Sequence, residues 1–288
     1  MQIMRLTKAR VQGYRSVIDS GWFEVENGKT ILVGPNEAGK TAILQALQKL
    51  NPPDGIELFN PLRDYPRAKY DEDIEKGGVD TKTFTVVEGH FSLESDDVEE
   101  VPVAYRNITY VYGRHLDNST WHRLDNAPER LAFSELEKDF LKMIVHFQET
   151  ACSEGTADSL VDGIQTEYDA IVKGLTKSSI ITSEKAKQLQ AWLKKHLKYL
   201  DDDNTKENTR YERIEAQLDR PIERESVLTV CEKMLPKFIL FSNYFRIKPV
   251  LHLRKLADRI ANNSLDDSQY DYGNICLLKF LGFTPKKL

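Results

Sequence analysis

The residues best placed to do chemistry are Gly34-Pro35-Asn36-Glu37-Ala38-Gly39-Lys40-Thr41, which satisfy the spacing GxxxxGK(S/T). The chemistry this spacing serves is the holding of a polyphosphate. Glycines at 34 and 39 permit a turn in which successive main-chain N–H groups point inward, and the positive end of the helix that follows adds to their field. The Lys40 ammonium is placed to reach the β and γ phosphates, which makes it the candidate catalytic group, and the Thr41 hydroxyl is placed to ligate a bridging Mg2+. Asn36, Glu37 and Ala38 complete the cradle through their N–H groups rather than their side chains. A strand-to-helix loop that spells the pattern by chance is the competing reading. It is disfavoured by context, because the apolar run Thr30-Ile31-Leu32-Val33 precedes the loop and a helix from Thr41 to Leu50 follows it, with Ile43, Leu44, Leu47 and Leu50 as its apolar face.

The elements that must position this loop can be read from periodicity and turn signals. Short strands are predicted at Leu6 to Gln12, Gly21 to Val25 and Lys29 to Val33, punctuated by Asp19-Ser20-Gly21 and Glu26-Asn27-Gly28. Further strands are predicted at Lys82 to Leu93, Val101 to Tyr112 and Ser119 to Leu124, and the Pro-, Asp- and Gly-rich stretch Pro52 to Gly78 reads as a long surface connection. From about Glu129 the period changes to that of helices, with Leu136, Phe140, Ile144 and Phe147 on one face. Ala157 to Gly174, Thr182 to Leu200 and Ser226 to Met234 continue the helical pattern, Pro236 to Phe241 predicts a buried strand, and Gly273 to Leu281 a short helix.

With 288 residues, 40% of them hydrophobic, the chain can build a substantial core. A formal net charge of −5 gives no global basic field, so composition does not suggest direct DNA binding. There is no signal-peptide pattern at the start and no apolar run of membrane-spanning length, so a cytoplasmic protein without a membrane is expected. Cys152, Cys231 and Cys276 are odd in number and far apart, which offers neither a disulfide framework nor a zinc spacing.

Several pieces together resemble the amino-terminal half of an ABC-type ATPase head of the RecF, Rad50 and SMC group. They are Val11-Gln12-Gly13-Tyr14-Arg15-Ser16-Val17, the Gly34 to Thr41 loop with its Gly-Pro-Asn-Glu-Ala wording, and Leu44-Gln45-Ala46-Leu47. Within that group the chain looks most like the OLD (overcoming lysogenization defect) nucleases and their anti-phage relatives, through Leu235-Pro236-Lys237-Phe238-Ile239-Leu240-Phe241. The resemblance covers the first fifty or so residues and residues 235–253. It implies an α/β fold: the N-terminal lobe of a P-loop NTPase with an antiparallel β-subdomain (1–130), an inserted helical region that offers a dimerisation or partner surface (131–235), and a return to an incomplete ATPase core (236–288). It further implies ATP and Mg2+ as cofactors, a phosphate contact for Arg15, a homodimer or higher oligomer with ATP between heads, a possible nuclease domain or subunit, and an indirect link to DNA.

The departures from that family matter as much. The family's signature loop is not found, and no run of four apolar residues is followed by Asp-Glu, the pair that would position Mg2+ and the attacking water. The chain therefore looks like an amino-terminal portion, and poor hydrolysis is expected of it alone. The second function considered is a non-hydrolysing nucleotide-binding or scaffolding module for a nuclease subunit; a metabolic P-loop kinase ranks third. Asp71-Glu72-Asp73 and Asp201-Asp202-Asp203 match the nuclease Asp-x-Asp only by letter, in polar sequence that reads as solvated turns, so no nuclease site is expected here. The six histidines show no metal-ligand spacing.

Overall fold

A computed structural model describes residues 4–35, 38–53, 55–94, 97–153, 155, 158–201, 203–240, 250–262, 264–266 and 270–283. The chain divides into two compact units. One comprises Met1–Glu99, Asn107–Asn126 and Lys233–Leu288, and the other Glu100–Arg106 with Ala127–Glu232.

The first unit is built on an antiparallel sheet, giving the chain a mixed α/β character. Its strands are β1 (Arg5–Tyr14), β2 (Val17–Asp19), β3 (Phe23–Glu24), β4 (Thr85–Ser92), β5 (Thr109–His115) and β6 (Thr120–Asp125), in the order β2-β1-β4-β5-β6 with β3 also on β1. Period-two alternation sets one face inward: Ala9 and Val11 pair with Gly89 and Val87, and all four are buried. Helix α1 (Lys40–Leu50) packs on that face, and a Cβ at Gly89 would lie 3.1 Å from Leu50 Cδ2 and 2.8 Å from Leu6 Cδ1. Glycine on β4 is what lets the helix approach. At the far end of α1, Arg114 on β5 donates to the Leu50 carbonyl, a cation satisfying an otherwise orphaned helix C-terminus.

Five differences from the sequence reading bear on the site. Residues 29–35 form no strand, and Ile31 and Val33 are 66% and 88% exposed. Alternating apolar residues state a preference for strand, but a strand also needs a neighbour, and the described sheet ends at β2 and β6 without one for this segment. The buried face of α1 is Ala42, Ala46, Lys49 and Leu50, while Leu44 is 44% exposed. The stretch 52–78 is not featureless: it holds α2 (Pro61–Asp64) and α3 (Arg67–Tyr70), then a wide turn at Asp71–Glu75 in which Asp73 accepts from the Tyr65 hydroxyl at 2.8 Å. Residues 101–108 are not strand, because the 3-10 turn Val103–Tyr105 follows Pro102. Residues 236–240 are extended without a ladder; Asn51 holds them instead, donating to Leu235 O and Pro236 O and accepting at its main-chain carbonyl from Phe238 N at 3.0 Å. Phe241, the end of that expected strand, lies outside the described residues.

The second unit is helical: α4 (Phe133–Ser153), α5 (Asp158–Val172), α6 (Ser183–His196) and α7 (Thr205–Met234), the last crossing into the first unit only at its end. The expected stripe on α4 is buried, with Phe133, Met143 and Ala151 added to it, and it meets Leu189, Trp192 and Leu193 of α6. Trp192 donates its indole N–H to Ile164 O at 3.2 Å. Helix α7 runs through Pro221, although only Ser226 to Met234 is legible as helix in the sequence. Its buried residues Tyr211, Ile214 and Leu218, then Val227, Cys231 and Met234, keep helical spacing on either side of the proline. Two short helices, α8 (Leu253–Ala261) and α9 (Asp271–Phe280), belong to the first unit. Among the described residues no helix is long and apolar enough to cross a membrane.

Candidate functional site

The site begins with Gly39, which sits just ahead of α1 at φ 85°, a left-handed conformation that favours glycine. A Cβ there would come 2.9 Å from Val17 Cγ2 and 3.3 Å from Ser16 Oγ, so space and conformation both require glycine. Gly34 differs: among the described residues its nearest Cβ neighbour is Ala38 Cβ at 3.5 Å, an ordinary contact, so the requirement for glycine is seen at Gly39. The first helical bond runs from Ile43 N to Gly39 O at 2.9 Å. Gly39 at the start of α1 makes no side-chain cap, and no acidic residue sits in the first turn of the helix, so among the described residues its positive end is left for an external anion.

Lys40 folds back over the loop, its ammonium donating to Gly34 O and Pro35 O, each at 2.6 Å. Phosphate oxygens binding there would replace two carbonyl acceptors with charged ones, which gives stronger, charge-assisted bonds from the same donor. Thr41 is exposed beside it. Asn36 and Glu37 lie outside the described residues, and Ala38 N donates to Pro35 O at 3.3 Å, closing the near side of the turn.

The hairpin between β1 and β2 brings Arg15 to the same place. Tyr14 pairs with Val17, leaving Arg15 and Ser16 as the turn, and Arg15 takes φ 54°. A non-glycine residue in that region is under strain and persists because its surroundings hold it. Those surroundings are Asp64 O, which accepts from Arg15 N at 2.6 Å; Gln45, whose Oε1 accepts from Nη1 at 2.6 Å; the Asp64 carboxylate 3.6 Å from Nη2; and the face of Tyr14, 5.3 Å away. Arg15, Ser16, Gly39, Lys40, Thr41 and Gln45 surround an open cavity of about 620 Å³. Four of the residues expected to bind phosphate thus meet around one space that a polyphosphate would fit. The donor set suits phosphate; for Mg2+ the described residues here offer neutral oxygens, the Thr41 and Ser16 hydroxyls and the Gln45 amide oxygen, and no His, Cys, Asp and Glu group that could hold a metal is found among them.

Sequence reasoning missed the carboxylate on which this arrangement leans. Asp64 is fully buried, and its oxygens accept from Lys49 Nζ at 2.8 Å, from Arg63 Nε and Nη2 at 3.1 Å, and from Asn60 N at 3.1 Å. Burial pushes its pKa up, but those donors outweigh burial and hold it at about 2. Burial draws the Lys49 ammonium below its ordinary value against the opposing pull of Asp64. Burial also raises the neighbouring Tyr14 hydroxyl to about 12. A signal was present: Lys49 stands seven residues after Ala42, on the buried stripe of α1, and a lysine facing inward needs a counterion.

The other candidates resolve as structural. His115 Nδ1 meets Thr85 Oγ1 at 3.2 Å, His122 Nδ1 meets the Tyr110 hydroxyl at 3.0 Å, and buried His196 bonds through Nδ1 to Trp192 O at 2.9 Å, with burial lowering its pKa. Cys152 is exposed and Cys231 buried.

If Arg15 is held for a ligand, Arg15→Gly should separate fold from binding. Relief of the left-handed strain, about 1–2 kcal/mol, offsets the lost exposed bond to Gln45 and the long 3.6 Å pair with Asp64, so the melting temperature should move little. Nucleotide affinity, measured by calorimetric titration, should fall about 10-fold, the worth of one charge-assisted contact.

A scan against protein-family models finds no match to this chain, and a search of curated proteins finds none either.

Proposed function

We propose that the chain binds a nucleoside triphosphate, ATP with Mg2+, at the Gly34 to Thr41 loop, and that it is a head portion of an ABC-type ATPase of the OLD and RecF style, acting in DNA processing or anti-phage defence. The observation that carries the reading is the start of α1 behind left-handed Gly39, uncapped among the described residues, with Lys40 and Arg15 on the same cavity of about 620 Å³. Gly39 and the α1 amides would hold the phosphates, Lys40 and Arg15 would balance their charge, and the Thr41 hydroxyl would face the metal ion, which when bound draws charge from the phosphate oxygens. In the assembled form two heads would enclose the nucleotide, with a nuclease domain or subunit coupled to it. The exposed Ile31 and Val33, directly ahead of the loop, fit a segment that gains its strand neighbour in such an assembly.

The second reading is a non-hydrolysing nucleotide-binding or scaffolding module. It is favoured by the sequence itself, whose one Asp-Glu pair, Asp71-Glu72, follows Lys69-Tyr70 and not an apolar strand. Phosphate release at high protein concentration separates the two, since steady turnover sinks the second reading. For the binding claim, Lys40→Ala should weaken Mg-ATP about 100-fold, the upper range for a lost contact to charge. Unchanged affinity would place the nucleotide elsewhere.

A further inference from the structure

Beside the phosphate cavity, and within the same unit, lies a second cavity of about 270 Å³. Arg15 and Gln45 line both, so the bond from Arg15 Nη1 to Gln45 Oε1 at 2.6 Å stands where the two meet. The geometry of α1 explains the adjacency. Thr41, Gln45 and Gln48 fall on one side of the helix at one-turn intervals, and a rise of about 1.5 Å per residue carries that side about 10 Å from Thr41, on the first cavity, to Gln48, on the second.

The rest of the lining is largely apolar and comes from other parts of the chain: Ile56, Leu240, the buried ring of Tyr14, and Tyr272 on α9. The Tyr272 hydroxyl donates to Gly55 O at 2.9 Å, which pins α9 to the loop that carries Ile56. The charges here are already matched. Lys49 and Arg63 line the cavity too, but Lys49 Nζ is 2.8 Å from the Asp64 carboxylate, and Arg63 reaches Asp64 at 3.1 Å and Glu57 at 2.7 Å. A second anion would have to compete with carboxylates in place, so a neutral, flat group is the better occupant. Gln48 is half-buried at this cavity, and its amide offers a donor and an acceptor in one plane. That pair matches the edge of adenine, whose N6 amino group donates beside the N7 acceptor, whereas guanine presents two acceptors, O6 and N7.

We propose, resting on the phosphate-loop reading above, that this second cavity holds the nucleoside of the bound triphosphate and that Gln48 is a specificity-determining residue that reads the edge of an adenine base. With the phosphates in the first cavity, the sugar passes Arg15 and Gln45, and the base lies against Ile56, Leu240 and Tyr272 with its polar edge on Gln48. Size agrees with this division. Sites for whole drug-sized ligands run to about 300–1,000 Å³, so a cavity of about 270 Å³ suits one part of a ligand whose remainder lies next door. Residues from α1, from the loop after it and from α9 then meet on one base, which explains why α9 is held at this end of the unit.

The test is calorimetric titration of the full chain, in the presence of Mg2+, with ATP, GTP and inorganic tripolyphosphate. ATP is expected to bind at least about 10-fold more tightly than either of the others. Gln48→Ala, a helix-compatible change that should leave the melting temperature alone, is expected to weaken ATP about 10-fold and to leave tripolyphosphate unchanged. Lys40→Ala should instead weaken all three, because it acts on the phosphates. Equal affinity for ATP and either of the other two, or unchanged ATP affinity in Gln48→Ala, would overturn the inference while the phosphate loop stands. If none of the three binds, the phosphate-loop reading fails and the inference falls with it.

Discussion

Asp64→Asn is expected to destabilise the sheet unit by about 3–5 kcal/mol at pH 7, the cost of breaking a buried ion pair from one side. The substitution leaves the Lys49 ammonium, 8% exposed, with the Leu58 carbonyl at 3.0 Å but no countercharge. The same change fixes a pH dependence. Asp64 titrates at about 2 when folded against an ordinary 3.8, and because the folded value is the lower one, its stabilisation is complete above about pH 5 and disappears as pH falls toward 2. The shift corresponds to about 2 kcal/mol. Urea denaturation at pH 7, 5, 3 and 2 should therefore show wild type losing about that much more than Asp64→Asn over the acid limb. Parallel loss in the two proteins would show that Asp64 is not the titrating group. Because Asp64 also holds the Arg15 main chain, the variant should bind nucleotide less well even where it remains folded.

Phe147→Ala is expected to cost the helical unit a further large sum, about 3–5 kcal/mol, through lost burial and the cavity left behind. Phe147 is fully buried on α4, with its ring 5.8 Å from that of Trp192 and 6.2 Å from that of His196. Phe147→Leu keeps most of the volume and should cost less than about 1.5 kcal/mol. Near-ultraviolet dichroism of the aromatic cluster during urea unfolding reports both. A loss below about 1 kcal/mol for the alanine variant would mean that the cluster is not the core of this unit.

How much of this could be read in advance depended on whether a feature is local. The α4 stripe and the Gly39-Lys40-Thr41 turn were legible, because a helix face follows from spacing alone and a left-handed residue ahead of a helix favours glycine. The segment Thr30 to Val33 was not, since pairing is a property of two segments and sequence alternation shows only one. Helix α7 was hidden by Pro221, which normally ends a helix but here sits between two runs with buried faces of their own. The extended piece after Leu235 looked like a strand by composition, yet a single residue, Asn51, holds it through both its side chain and its main-chain carbonyl. Asp64 was lost inside a stretch judged to be surface, although Asn60-Pro61 carries the start signal of a helix: the Asn60 side chain accepts from Leu62 N and Arg63 N, and proline follows at the first position. Arg15 was found only by resemblance, and its left-handed turn supplies the physical reason it lies on the same cavity as Gly39 and Lys40.

The central claim is that the start of α1 grips phosphate through main-chain amides. Amide chemical shifts of isotopically labelled protein, followed while Mg-ATP is added, test it most directly. The Gly39, Lys40 and Thr41 amides should move together and saturate with one affinity, with Arg15 responding alongside them. Saturation of other amides while these three stay still would contradict it.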